Sequence, residues 1–413
     1  MSDRQGSSAP RTAAPAQATG IAAPGKLAFV QQPASAAAGV PVSPPVTIQL
    51  KDSKGNNLAQ SGVPILMTLS SGTGTLNGTT TRTTDSTGLA IFADLSVTLI
   101  GPKKLTASSA NVTPVTSGNF NITLGPPASI VIRTQPPSGA TAGVPFNPPP
   151  VIQLLDAGGN LVTTDNSTAV TASRLAGAGT LQGTLTATAV NGVVTFANLS
   201  HNFAATITIL FSSGALSPDT SAAVLIVPAA AAQLTFLQQP TSTQAGAVIT
   251  PPVAVALLDA FGNGVTNSGT PVTVTMTTGT GTLGGTLTRS TVGGVSTFND
   301  LQIDLAGSKI LTATSGSLTA ITSLPFTIAS RAAKTVAFIQ QPTNTVAGAP
   351  ITPPITLQVR DSLGNNIAVA ALPVTLAISA GTGTLSGTTT QLTDTTGRAT
   401  FSGLSINLAG IKT

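Results

Sequence analysis

The dipeptide Gln-Pro recurs along this chain with its proline at Pro33, Pro136, Pro240 and Pro342, at spacings of 103, 104 and 102 residues. A second landmark, Asp-x-x-Gly-Asn, begins at Asp52, Asp156, Asp259 and Asp361 and keeps the same step to within a residue. Gly-Thr pairs at Gly78-Thr79, Gly183-Thr184, Gly285-Thr286 and Gly387-Thr388, and phenylalanines at Phe92, Phe196, Phe298 and Phe401, share the period. That period decides what the chain can fold into. Solenoid repeats of roughly 20 to 50 residues bury an apolar face only by stacking on one another, whereas a unit of about 100 residues closes its own core. The chain therefore reads as four copies of one domain-sized module.

Inside the first copy, Leu27 to Val30 is a short apolar run stopped by Gln-Gln-Pro, and Val46 to Leu50 alternates apolar and polar with period two. A proline pair precedes that second strand in every copy, at Pro44-Pro45, Pro148-Pro149, Pro251-Pro252 and Pro353-Pro354. Proline lacks the donor that a sheet ladder needs, so the pair belongs at a strand start or an edge. Asp52 to Asn56 is a turn signature, because Asp bonds its own turn backbone and Gly-Asn tolerates positive φ. Further strands are expected at Val63 to Leu69, Thr79 to Thr84, Ala90 to Phe92, Lys103 to Ser108 and Phe120 to Leu124. About seven short strands per copy, turn signals every 8–12 residues and no amphipathic helix predict an all-β fold of tandem immunoglobulin-like β-sandwiches, arranged as beads on a string.

The 13 phenylalanines are consistent with this phasing. Beside the Phe92 series, Phe29, Phe236 and Phe338 share a first-strand place with Ile132, and Phe120 and Phe326 share a last-strand place with Leu225. Matched apolar positions of this kind are expected in a common sandwich core.

The divisions implied by these landmarks are a leader at 1–25 and modules at 26–127, 128–230, 231–331 and 332–413. Connections such as Gly125-Pro126-Pro127 are short and proline-containing, which limits swing between neighbours. Gly410 to Thr413 aligns with Gly307 to Ile310, so the fourth module is expected to be truncated before its last strands and to be the least stable.

Composition excludes several chemistries. There is no Cys, and all 12 acidic residues are Asp, so thiolate metal sites, iron–sulfur clusters and cysteine nucleophiles are ruled out. The net charge of +5 comes from basic residues scattered over 413 positions, of which Lys103-Lys104 is the nearest pair. With Phe the sole aromatic type, this is not the clustered, stacking surface of a nucleic-acid binder. No run reaches the roughly 18 apolar residues of a membrane helix, and 1–25 lacks the charged start and apolar stretch of a secretory signal.

The pattern of a strand, Asp-x-x-Gly-Asn, a second strand, Thr84-Asp85-Ser86-Thr87-Gly88, then Leu305-Ala306-Gly307 and Leu311-Thr312-Ala313 in the third copy, resembles the bacterial immunoglobulin-like domains stacked in the stalks of invasins, intimins and other large surface adhesins. The resemblance covers nearly everything after Gly25. It departs from that family at Lys104 and Ile310, where an aromatic is common, and in the second and third copies, where Ala189 and Thr291 stand for the Asp of Thr-Asp-x-x-Gly. It implies an extracellular or cell-surface shaft that serves cell adhesion. The partners implied are neighbouring modules of a longer chain and an unknown host-cell, matrix or surface ligand. A rival expectation is an accessory spacer of a large secreted enzyme, carbohydrate-active or other, or a phage or virion decoration module.

Candidate chemistry is sparse. His201, with Ser200 and Asn202 beside it, is the one histidine and is expected in a solvated loop peculiar to the second copy. The aspartates of Asp-x-x-Gly-Asn are expected to cap turns, since calcium needs six to eight oxygens and the neighbouring acids are too few. No catalytic, cofactor-binding or metal-binding residue is expected, and the chain reads as non-enzymatic.

Overall fold

The computed structural model describes residues 23–413, which contain strands and turns and no helix. They form two compact units: the described residues up to Ala140 with Val144–His201 and Ala205–Leu225, and Thr141–Gly143 with Asn202–Ala204 and Ile226–Thr413.

The first unit opens with β1 (Pro24–Gln31), β2 (Ala36–Ala37), β3 (Val46–Asp52), β4 (Pro64–Ser71), β5 (Leu76–Asn77), β6 (Thr81–Thr83), β7 (Leu89–Phe92), β8 (Ser96–Val97), β9 (Gly101–Ser109), β10 (Val112–Thr116) and β11 (Phe120–Thr123). One sheet runs β1-β3-β7, all antiparallel, with Leu27 opposite Leu50 and Val46 opposite Phe92. The facing sheet runs β2-β11-β9-β4-β6, and β5 pairs with β8 beside it. Period-two alternation sets the inward faces: Ile65 and Met67 of β4 are buried while Leu66 and Thr68 point out, and Leu105 and Ala107 of the neighbouring β9 are buried on the same side. Strand β10 pairs with β9 and, in parallel, with β1, joining the two sheets. The core between the sheets includes Ile48, Leu50, Ile65, Met67, Phe92 and Leu105. This is an immunoglobulin-like sandwich.

The same unit builds the pattern again. Ser129–Thr134, Val151–Leu155 and Val193–Thr195 form a three-stranded sheet, and Ala169–Ala176 pairs with Thr186–Thr188 and Thr206–Ser212 in the other. Phe196 and Phe211 pack in its core with their rings tilted by 48° at a centroid distance of 5.3 Å.

The second unit holds Ala231–Gln238, Val253–Asp259 and Val295–Phe298 as one sheet, with Phe326–Ala329, Gly307–Thr314, Pro271–Thr278 and Thr288–Ser290 in the facing one. Its last sandwich comprises Thr335–Gln340, Ile355–Arg360 and Arg398–Phe401, the pair Pro373–Thr375 with Thr390–Leu392, and the pair Leu385–Ser386 with Ser405–Ile406.

Several expectations need correction. The leader, expected to run to residue 25, falls outside the described residues for 1–22, but Pro24 and Gly25 already belong to β1. Pro24 pairs with Asp52, and a side chain on Gly25 would meet Ser53 N at 2.5 Å. The last-strand core place in the second copy belongs to buried Val224, opposite Ile207, while Leu225 is 51% exposed. Alternation turns a one-residue slip in register into a change of face. A similar slip concerns Ala189 and Thr291. They match Thr84, not the Asp after it, and Val190 and Val292 stand exposed where Asp85 stands. Phe338 is 42% exposed although Phe236 is buried, because no strand like Phe326–Ala329 lies over it among the described residues. Phe401 stays buried in the core cluster that also holds Ile355 and Ala399.

Candidate functional site

The polar feature common to all four copies is the Asp-x-x-Gly-Asn turn after the second strand of each. Its Asp carbonyl accepts from the glycine N–H three residues on, at 3.1 Å for Gly55, 3.0 Å for Gly159 and 3.2 Å for Gly262 and Gly364. These glycines have φ of 94, 85, 85 and 85°, a left-handed conformation that an L side chain resists. The carboxylate then caps the turn. Asp361 Oδ1 accepts from Leu363 N at 2.8 Å and Asn365 N at 3.0 Å, and its Oδ2 accepts from Asn365 Nδ2 at 3.0 Å. Asp259 does the same with Phe261 N, Asn263 N and Asn263 Nδ2 at 2.9, 2.9 and 2.8 Å. Asp156 accepts from Gly158 N and Asn160 N, each at 2.9 Å.

These contacts set the charge state. The Asn56 side chain, with its backbone amide, holds the Asp52 carboxyl below its ordinary range. Burial pushes Asp259 and Asp361 up, and the hydrogen bonds from Asn263 and Ala229, and from Arg331 and Asn365, outweigh it, so both also lie below the ordinary value. The carboxylates of Asp52, Asp259 and Asp361 stay ionised with their oxygens turned to amide donors. Among the described residues no three of His, Cys, Asp or Glu come together.

His201 is not in a solvated loop. It lies in the two-residue strand Ser200–His201, opposite Leu181, and is fully buried. The equivalent places in the other copies are Val97 and Ile303, both buried, and Ile406, so the imidazole occupies a core position. Its neighbour Ser200 is buried too.

Lys103, of the nearest basic pair, is also buried. Its Nζ donates to Ile100 O at 3.1 Å, and the matching Lys309 donates to Thr280 O at 2.7 Å and Ala306 O at 3.3 Å. Burial draws Lys309 below the ordinary lysine value, opposed by the charge of Asp304. The second copy has buried Ile207 there, which marks the position as core.

Sequence reasoning missed a second cap. Asp94 Oδ2 accepts from Thr79 N at 3.0 Å, Asn198 Oδ1 from Thr184 N at 2.9 Å, and Asp300 Oδ2 from Thr286 N at 3.1 Å. The signal was available: each cap stands two residues after a Phe of the Phe92 series and bonds the Thr of a Gly-Thr pair. Arg82 and Arg289 add exposed ion pairs to Asp94 and Asp300 at 3.4 and 3.2 Å, which contribute little in water.

The last sandwich carries an apolar groove of about 430 Å³ lined by Phe338, Val346, Ile355, Leu376, Leu385 and Ile411 among others. In the third copy, buried Phe326 and Ile328 fill the corresponding space. No described helix is long and apolar enough to cross a membrane.

No protein-family model matches the chain, and no curated protein matches it. Solved structures similar to it include the Escherichia coli adhesin FdeC, 15% identical over 74% of this chain and 96% of that one, with a TM-score of 0.27. Yersinia pseudotuberculosis InvD is 18% identical over 73% of this chain and 96% of that one, with a TM-score of 0.26. A tetra-tandem repeat from the extending region of a large adhesion protein is 12% identical over 92% of this chain and 90% of that one, with a TM-score of 0.23. The assignment of immunoglobulin-like fold to this chain rests on its own strand order and pairing.

Proposed function

We propose that this chain is a non-enzymatic repeat region that serves as a stalk or spacer of a bacterial cell-surface or secreted protein and acts in cell adhesion. The observation that carries the reading is the use made of its polar residues. The same sandwich is built repeatedly, and its recurring aspartates close turns and bond backbone amides instead of converging on a shared point where a substrate would sit. The modules are taken as 26–127, 128–230, 231–331 and 332–413, with the first extended by Pro24 and Gly25 of its opening strand. The partners in this reading are adjoining modules and a ligand on a host cell, matrix or other surface.

The test is location together with attachment. Antibodies raised against the chain are expected to label intact producing cells or their medium, and removal of the chain is expected to lower attachment of those cells to a surface. Labelling confined to broken cells, with attachment unchanged, overturns the reading.

A further inference from the structure

The Asp-x-x-Gly-Asn turn differs between copies in a way that capping does not explain. Asp52 is outside the core and its partner Asn56 is exposed, whereas Asp156, Asp259, Asn263, Asp361 and Asn365 are all buried. What buries them is the preceding stretch of chain. In the first unit, Asn160 Nδ2 donates to Thr98 O at 2.7 Å, and Asp156 Oδ2 accepts from Gly125 N of the connecting segment at 3.1 Å. Gly39 and Gly158 meet back to back there. A Cβ on Gly158 would lie 2.2 Å from Thr98 O, and one on Gly39 would lie 2.4 Å from Ala157 O.

The second unit repeats the contact with two bonds per asparagine. Asn365 Nδ2 donates to Asp304 O at 3.0 Å while Asn365 Oδ1 accepts from Ala306 N at 2.9 Å, and Asp361 Oδ2 accepts from Arg331 N at 2.9 Å. The Arg331 guanidinium turns back to Ala245 O at 2.7 Å. Within the same unit Asn263 pairs with Asn202 O and Ala204 N at 2.7 and 2.8 Å, and Asp259 accepts from Ala229 N at 2.9 Å. A side-chain amide that reads a carbonyl and an N–H two residues apart reproduces the pairing of a strand edge. The Asn56 amide has the same turn geometry, with Asn56 N on Asp52 Oδ1 at 2.8 Å and Nδ2 on Oδ2 at 3.0 Å, and makes no such outward bond among the described residues.

We propose that the Asp-x-x-Gly-Asn turn is a docking element as well as a cap, and that within each unit it fixes the later sandwich on the stretch of chain before it. Its partner is defined chemically: the backbone carbonyl and N–H of the loop ahead of the strand that starts Gly-x-Lys in the first and third copies and Thr206-Ile207 in the second, with the Ala-Gly loop after the short second strand alongside. The carboxylate grips the connecting segment and the asparagine grips the preceding sandwich, so one five-residue motif sets both the local turn and the junction. The proposal holds whether or not the chain is an adhesive stalk.

The test uses the full chain with Asn365→Ala, Gly158→Leu and, as the control without an outward bond among the described residues, Asn56→Ala. In Asn365→Ala, hydrogen exchange at the Ala306 amide is expected to rise roughly tenfold, the equivalent of one lost hydrogen bond. Tryptic cleavage after Arg331 is expected to rise with it, while amides of Ile355–Arg360 keep their protection. Gly158→Leu guards against a variant that merely unfolds. The matching places carry Phe261 and Leu363, so the turn accepts a side chain, and a Cβ at 158 meets the junction instead. It is expected to accelerate exchange at Gly125 and leave Val151–Leu155 protected. Asn56→Ala is expected to alter exchange only inside its own turn. Wild-type exchange at Ala306 and Gly125 in the two junction variants overturns the proposal, as does loss of core protection in both.

Discussion

Two adjacent glycines in the third copy give a test in which the structure supplies both the variant and its control. Gly293 and Gly294 both have positive φ, at 58 and 83°. A Cβ on Gly293 would meet nothing within 4 Å, but one on Gly294 would lie 1.8 Å from Val265 O. Gly293→Ala therefore carries the left-handed backbone term, about 1 kcal/mol. Gly294→Ala carries that term and forces Val265 away from the turn. Two backbone bonds hold this place, Leu257 N to Gly294 O at 2.9 Å and Val265 N to Leu257 O at 3.0 Å. Loss of a buried backbone bond costs roughly 1–3 kcal/mol, so the total is about 3 kcal/mol or more, some thirtyfold beyond the control in the unfolding constant. A chain of several sandwiches does not unfold in two states, so the measurement is native-state hydrogen exchange of the Val253–Asp259 amides. Equal costs for the two variants refute the reasoning that a carbonyl approach, and not φ alone, requires the second glycine.

The register correction at the end of the second copy predicts that Val224→Asp unfolds that sandwich locally while Leu225→Asp changes its stability by less than about 0.5 kcal/mol, read by exchange at Ile207 and Ile209. Acid sensitivity follows from the turn carboxylates. Asp259 and Asp361 lie below the ordinary Asp value of 3.8 in the folded chain, so their contribution is complete above that pH and is lost as pH falls through the lower folded value. Thermal unfolding midpoints should hold steady from pH 7 to about 5 and drop below about 4, and a decline centred near pH 6 contradicts this. Addition of millimolar calcium, or of a chelator, is expected to leave those midpoints unchanged, because the Asp oxygens already accept amide protons.

Much of the fold was legible because periodicity and chain chemistry agree. The second strand, with its proline pair, its alternation and its closing Asp turn, lies at Val46–Asp52 where the pattern puts it. The short strands were not legible. Ala36–Ala37 and Ser96–Val97 have two residues each and carry no period, and Val112–Thr116 has a proline inside it, a residue that disfavours a strand interior. It is tolerated there because the strand runs along the joint between sheets. His201 was misplaced because its core role is visible only through the partner across the ladder, Leu181. The asparagine of the Asp turn was read for its φ preference, and its outward bonds were not foreseeable, since their acceptors lie about 60 residues earlier and are backbone atoms of no fixed residue type.

The parallel pairing of β2 with β11 bears on how a sandwich carries load. Ala36 and Ala37 lie beside Ile122 and Thr123, and Ala38 N adds a bond to Thr123 O at 2.9 Å. The third copy has the same arrangement, with Thr243 and Gln244 beside Ile328 and Ala329 and Ala245 N on Ala329 O at 2.8 Å. These short strands sit near the entry and exit of each sandwich, and they run in the same direction. Tension applied at the two ends pulls such neighbours past each other along their length, so the bonds between them are strained together. Antiparallel neighbours loaded at their shared end are peeled apart one bond after another. A sandwich tied in this way yields in shear, with a higher rupture force than its modest number of bonds implies.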